Sequence, residues 1–190
     1  MTASCNVLAI CGSLRKAATN RLLLRAAIGM APAGMTIVEH PIGDLPLFNE
    51  DIEKPSPAAA VALRDAVVAA DALLFVTPEY NHGPSAAMKN VVDWLSRGSL
   101  GKPPGTAPII GRIAAVMGAS GGVSGSMRSQ VQLRANLWPL QVHVMPMPPM
   151  ILPGSGSKFG SDGALNDEPS KKALADFLAA FAKWIERMKR

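Results

Sequence analysis

Between positions 11 and 20 the chain reads Cys-Gly-Ser-Leu-Arg-Lys-Ala-Ala-Thr-Asn. Two hydroxyls (Ser13, Thr19), an amide (Asn20) and a guanidinium (Arg15, beside Leu14) crowd around a glycine that permits a tight turn. An apolar run, Val7-Leu8-Ala9-Ile10, leads in, and a segment with helical spacing, Leu23, Ala26, Ala27 and Met30, leads out. Strand, glycine turn, polar loop and helix in that order aim backbone N–H groups and the positive end of a helix dipole at one point. A phosphate is the natural ligand there. Ser, Thr and Asn are also the usual helix-capping residues, so a plain cap competes with the anion site. Capping leaves Arg15 unexplained, and the anion site is preferred.

Two further loops carry chemistry. Thr77-Pro78-Glu79-Tyr80-Asn81-His82-Gly83-Pro84 is bracketed by prolines that stiffen it. Within it Tyr80 offers a flat apolar face with a polar tip, and Glu79 and Asn81 offer hydrogen bonding. An ordinary surface turn is the alternative. Gly118-Ala119-Ser120-Gly121-Gly122-Val123-Ser124-Gly125 is the third loop, where glycines allow close approach of the main chain to a ligand. His82 could touch a substrate, but plain loop exposure is the preferred reading. His40, His82 and His143 are dispersed, and Cys5 and Cys11 sit on one strand too far apart to bridge. Neither a metal site nor a disulfide framework is expected.

The elements that must position these loops alternate. Met35–His40 reads as a second strand after Gly34, and residues 41–56 as a loop. Ser56-Pro57 reads as the N-cap and first-turn proline of a helix carried by Val61, Leu63, Val67 and Val68. Ala72–Thr77 is a continuous apolar run suited to a strand buried on both faces. Ser85 caps a helix with Met88, Val91, Val92 and Leu95 on one face, ended by Gly98, and the exposed side of that helix carries Lys89 and Arg97. A loop with Pro103, Pro104 and Pro108 precedes a strand over Ile113–Met117. A helix from about Met127 to Leu137 and a fifth strand around Gln141–Met145 follow. Residues 153–166 read as flexible. The last helix places Leu174, Phe177, Leu178, Phe181, Ile185 and Met188 on one face. Trp94 and Trp184 read as packing residues. The pattern predicts an α/β fold, a doubly wound parallel sheet with helices on both faces, in one domain over residues 1–190. In that architecture ligands bind beyond the carboxyl ends of the strands, and all three unusual loops fall at that edge.

The 190-residue chain is 48% hydrophobic and 17% charged, which argues against disorder. A net charge of +5 invites a nucleic-acid reading, but the positive residues are scattered and aromatic content is 5%, too thin for base stacking. A surface that attracts anionic small molecules is the better reading. No apolar run is long enough for a membrane span and no secretory signal is visible, so a cytoplasmic protein is expected.

Gly-Ser-Leu-Arg-x-x-x-Thr-Asn at 12–20, Pro-Glu-Tyr-Asn at 78–81, Met-Lys-Asn-x-x-Asp-Trp-Leu-Ser-Arg at 88–97 and Gly-Ala-Ser-Gly-Gly at 118–122 together resemble the NADPH-dependent FMN reductase family of flavodoxin-like proteins, which includes quinone and chromate reductases. Thr19 stands where the family usually has Ser, and Pro84-Ser85 where Pro-Gly is usual. The resemblance implies a flavodoxin-like three-layer sandwich with strand order 2-1-3-4-5. It implies that Ser13, Arg15, Thr19 and Asn20 hold the FMN phosphate, with Leu14 among the cofactor-binding residues. Pro78, Glu79, Tyr80 and Asn81 would line the isoalloxazine mainly through backbone, and Ser120, Gly121 and Gly122 would reach its pyrimidine side.

It further implies hydride transfer from NADPH or NADH to FMN, then two electrons to a quinone or similar acceptor, with no catalytic side chain. A homodimer or homotetramer is implied as well. Backbone N–H groups of the Gly121-Gly122 turn, at a helix start, are expected to stabilise negative charge on reduced flavin. A non-catalytic flavodoxin-type electron carrier or a flavin-binding regulatory protein is the alternative. The basic net charge and the Pro-Glu-Tyr-Asn loop count against it.

Overall fold

The computed structural model describes residues 4–98 and 106–189; the prolines at 103 and 104 lie outside them. In chain order the elements are β1 (Cys5–Cys11), α1 (Thr19–Gly29), β2 (Met35–His40), α2 (Ala58–Ala69), β3 (Ala72–Val76), α3 (Ala86–Leu95), β4 (Ile113–Ala119), α4 (Met127–Leu137), β5 (His143–Val144), β6 (Met150–Leu152) and α5 (Glu168–Met188). Among the described residues the strands of the sheet pair in parallel and the order is β2-β1-β3-β4-β5, as the family resemblance implies.

Period-two alternation divides the apolar runs between two cores. Val7, Ala9, Cys11, Leu74, Val76, Ala115 and Met117 face α1 and α5, whose Leu23, Leu24, Phe177 and Phe181 complete that layer. Leu8, Ile10, Leu73, Phe75, Ala114 and Val116 face the opposite layer, with Leu63 and Val67 of α2, Met88 and Val91 of α3, and Leu133 of α4. Both cysteines are free and buried. Among the described residues no helix is long and apolar enough to cross a membrane.

The structure differs from the sequence reading at four places. Ser56 does not cap α2: its hydroxyl donates to Glu53 O (2.7 Å) and accepts from Arg64, so Pro57 is the N-cap and the helix starts at Ala58. Val61 and Val68 face solvent, and Ala60, Leu63, Arg64 and Val67 make the buried face. The fifth strand splits in two, β5 pairing the start of β4 and β6 its end. Pro146, Pro148 and Pro149 intervene, and proline has no N–H to continue the ladder. The stretch expected to be flexible is built, with a 3-10 turn over Ser155–Ser157, a bridge between Phe159 and Leu165, and Lys158 bonded to Asp167 and Ser170.

At the carboxyl edge β4 and its neighbours meet at van der Waals limits. A Cβ on Gly118 would collide with Thr77 O and Ser126 Oγ, both of which are themselves buried. Gly118→Ala is therefore expected to destabilise by about 1–3 kcal/mol or more in urea unfolding, the range for overpacking. Gly29→Ala, with nothing within 4 Å of the new Cβ, should be neutral or slightly stabilising. Equal effects of the two would mean the edge is not close-packed.

Candidate active site

The loop after β1 starts with Gly12, whose N–H donates to Val76 O at 2.9 Å. A Cβ at this position would sit 2.9 Å from Ser85 Oγ and 3.0 Å from Met88 Cβ, so only glycine lets the loop lie against the start of α3. Ser85 does two jobs there. Its oxygen accepts from Met88 N–H as the N-cap of α3, and its hydroxyl donates to Gly12 O at 2.7 Å.

α1 begins differently. Its N-cap is Ala18 and no side chain caps it. Neither Ser13 nor Thr19 is spent on capping, so the reading of this loop as a plain helix cap fails and its donors stay open. Among the described residues Arg15 makes no ion pair or hydrogen bond, and it is exposed. The Ser13 hydroxyl is likewise without a partner, in a residue that is otherwise buried. Arg21 braces the loop from behind: Nε donates to Ser13 O at 3.1 Å, and the guanidinium pairs with Glu39 of β2 at 2.7 Å. The sequence offered no signal for that brace, because Glu39 and Arg21 meet only through strand pairing.

Asn20 points elsewhere. It is 3% exposed; its Nδ2 donates to Ala119 O at 2.9 Å and its Oδ1 accepts from Ala119 N–H at 2.9 Å. The amide acts as a short strand partner for the end of β4, and it ties α1 to the third loop.

The second loop is a tight turn. Tyr80 and Gly83 exchange backbone hydrogen bonds of 3.0 and 2.9 Å, and Asn81 and His82 both have positive φ, 49° and 65°. That is a type I′ turn, whose positions favour Asn followed by Gly. His82 therefore occupies a strained position at the tip. A cleft of about 600 Å3 is lined by Gly12, Ser13, Leu14, Arg15, Tyr80, Asn81, Pro84, Ser85, Ala86 and Ala87. It lies within the roughly 300–1,000 Å3 range of small-molecule sites. It joins the loop after β1 to the Tyr80 turn across the start of α3. His82 is not part of its lining. A smaller cavity of about 200 Å3 at the end of β2 is lined by none of the expected site residues; it includes His40, whose pKa burial lowers.

Glu79 turns out of the cleft. Its side chain is 7% exposed and accepts from Ser124 Oγ (2.7 Å), Arg128 N–H (3.0 Å) and Ser129 N–H (3.3 Å), with the Arg128 guanidinium at 3.9 Å. α4 has no cap of its own, since Ser126 at its N-cap is left-handed, and Glu79 supplies one from the other loop. In the third loop Ser120, Gly121 and Gly122 lie outside the cleft lining, and Gly122 N–H already donates to Ser120 Oγ at 3.2 Å. Arg97, read as a solvated residue, instead pairs with Glu50 and Glu53 and stacks over Phe48, holding the loop before α2.

A parallel 2-1-3-4-5 sheet with an uncapped, basic loop after β1 and an aromatic turn after β3 defines a flavodoxin-like nucleotide-binding protein. More particularly, the chain belongs to the NADPH-dependent FMN reductase family, whose model matches residues 5–155. It is 37% identical over 190 residues to an NAD(P)H-dependent FMN reductase of Pseudomonas aeruginosa, covering 100% of both chains. It is 37% identical over 182 residues to a quinone reductase of Pseudomonas putida, covering 95% of each. Among solved structures it resembles the flavoenzyme NAD(P)H:(acceptor) oxidoreductase FerB from Paracoccus denitrificans, with TM-score 0.87, 33% identity and coverage of 97% and 98%.

Burial raises the Glu79 carboxyl, but hydrogen bonds from Ser124, Ser129 N–H and Arg128 N–H, with the Arg128 charge, outweigh it and hold the group below its ordinary 4.5. A folded pKa below the unfolded one contributes stability that is complete above the unfolded value and drains away as pH falls through the folded one. The melting temperature of cofactor-free protein should therefore fall on acidification below 4.5, and Glu79→Gln should remove part of that fall. A variant curve running parallel to the wild-type curve would show that this carboxylate carries no such linkage.

Proposed function

We propose that the chain is an FMN-dependent NAD(P)H oxidoreductase that reduces quinones or similar small acceptors, acting as a single FMN-binding domain over residues 1–190 in the cytoplasm. The observation that carries the reading is the open loop after β1: an uncapped helix with, among the described residues, an unpaired Arg15 and a free Ser13 hydroxyl in the same cleft as Tyr80.

The donor set fits FMN. Ser13, Arg15, Thr19 and the first N–H groups of α1 would hold its phosphate, where dianionic charge meets guanidinium and helix dipole. Leu14 and the backbone of Pro78–Asn81 would line the ring, with Ser120–Gly122 beyond it. Asn20 and Glu79 serve the site from behind, fixing the loops on which those groups ride. Bound FMN supplies the two-electron relay between NAD(P)H and acceptor, so the protein needs no acid–base side chain at the reacting atoms. Tyr80, 63% exposed at the mouth of the cleft, gives a flat face against which a nicotinamide or a quinone can stack in turn. Quinone as acceptor draws support from the relatives that carry that name.

The reading includes a homo-oligomer. Met127, Val131 and Trp138 make an exposed apolar stripe on the outer face of α4 and the turn after it, with Trp138 82% exposed. Aromatic anchors of this kind concentrate binding energy at interfaces. Trp138→Glu is expected to shift a dimer or tetramer toward monomer in light scattering; an unchanged mass would remove this face from the interface.

The flavin reading is tested by reconstitution. The purified chain should take up FMN and bleach anaerobically with NADPH or NADH. Failure to bind FMN removes the reading, and binding without bleaching leaves an electron carrier. Arg15→Ala should weaken FMN by roughly ten- to a hundredfold, the worth of a charge-assisted hydrogen bond, and leave riboflavin affinity nearly unchanged. Equal losses for both ligands would show that Arg15 does not meet the phosphate.

A further inference from the structure

Three consecutive residues after β3 are fastened to the first turn of α4. Ser129 Oγ lies 2.7 Å from Thr77 Oγ1 and from Pro78 O, and Glu79 takes the N–H groups of Arg128 and Ser129. The next residue, Tyr80, lines the cleft. A helix N-terminus carries roughly half a positive charge in its open N–H groups. On the flavin reading, in which Pro78–Asn81 and Ser120–Gly122 border the ring, those groups left free would stabilise negative charge developing on it. They are instead consumed by a full carboxylate. Arg128 compensates that charge only in part, since its guanidinium is 3.9 Å away and its side chain is 51% exposed. Gly122 N–H, the other donor expected to serve the ring, donates to Ser120 Oγ within its own exposed loop.

We propose that Glu79 is a potential-setting residue: by capping α4 from the neighbouring loop it sets a full negative charge against that helix's positive end, one residue before Tyr80 of the cleft, which lowers the reduction potential of bound FMN below what an uncharged cap would give. The inference rests on the flavin reading given above. Reduction by NAD(P)H brings two electrons and one proton as a hydride, so the ring gains one negative charge, and a fixed carboxylate nearby opposes that gain. The consequence is a bound flavin that gives up its two electrons readily to an acceptor. Glu79 is ionised in the working range, because the hydrogen bonds it accepts outweigh its burial. The residue is a positioning and tuning group, and it touches neither substrate nor the reacting atoms.

The test uses the FMN-loaded chain, poised anaerobically against reference dyes, with the midpoint potential read from flavin absorbance. Glu79→Gln should raise the reduced-to-oxidised ratio at fixed poise by about tenfold, about 30 mV for a two-electron couple. Glu79→Asp, which keeps the charge, should restore the ratio to within about threefold of wild type, even where melting shows the shorter cap to be weaker. Arg128→Ala strips away part of the compensation and should move the potential the other way, which a loss of packing alone would not do. An unchanged or more negative potential in Glu79→Gln overturns the proposal. If that variant cannot retain FMN, an Arg128→Ala potential equal to or above wild type overturns it instead, and a lower one supports it. A wild-type chain that takes up no FMN fails the flavin reading itself, and this proposal with it.

Discussion

The double hydrogen bond between the Asn20 amide and the backbone of Ala119 is the constraint on which the functional edge depends. β3 stops pairing with β4 at Val76 and Met117, so the last residues of β4 reach past their neighbour. The N–H and C=O of Ala119 would be buried there without a partner, at a cost of about 1–3 kcal/mol each. Asn20 satisfies both from the first turn of α1, across 99 positions of sequence. The phosphate loop and the third loop are thereby set in one frame, because one lies just before Asn20 and the other just after Ala119.

A second set of contacts does the same for the other pair of loops. Thr77, Pro78 and Glu79 are held by Ser129 and the N-terminus of α4, and Gly118 is small enough for Thr77 O to lie against it. Between these fastenings the Tyr80–Gly83 turn carries Tyr80 and Asn81 into the lining of the cleft. Rigid walls with one protruding aromatic residue suit a site where two flat molecules must succeed each other. The charges follow the same division. Among the described residues Arg15 is left unpaired in the loop after β1, while Glu79 is paired and buried in the loop after β3.

Much of this was legible in the residue order. The alternation of apolar runs and helical segments predicted the sheet, α4 starts and stops where its spacing said, and Ser85 caps α3 as its position suggested. The split of the fifth strand was less visible, since the prolines forbid a continuous ladder without saying where pairing resumes. Ser56 misled for a local reason: its hydroxyl found Glu53 O and Arg64, partners that a linear reading cannot bring near. Arg97 misled likewise, because its acidic partners lie on a loop far away in sequence.

By itself the sequence determined the alternation of strands and helices, the placing of three ligand-like loops at one edge, and the residue types able to hold a phosphate. These follow from short-range pattern: period two, period 3.6, and glycines beside hydroxyls and arginine. Only the tertiary structure decided which of those side chains are free to act. Asn20 and Glu79 carry polar groups fit for a ligand, yet each is consumed by backbone groups that chain crossing leaves unpaired, whereas Ser13 and Arg15 are spared. The difference lies in the obligation to satisfy every buried N–H and C=O, which can be accounted for only once the whole chain is in place.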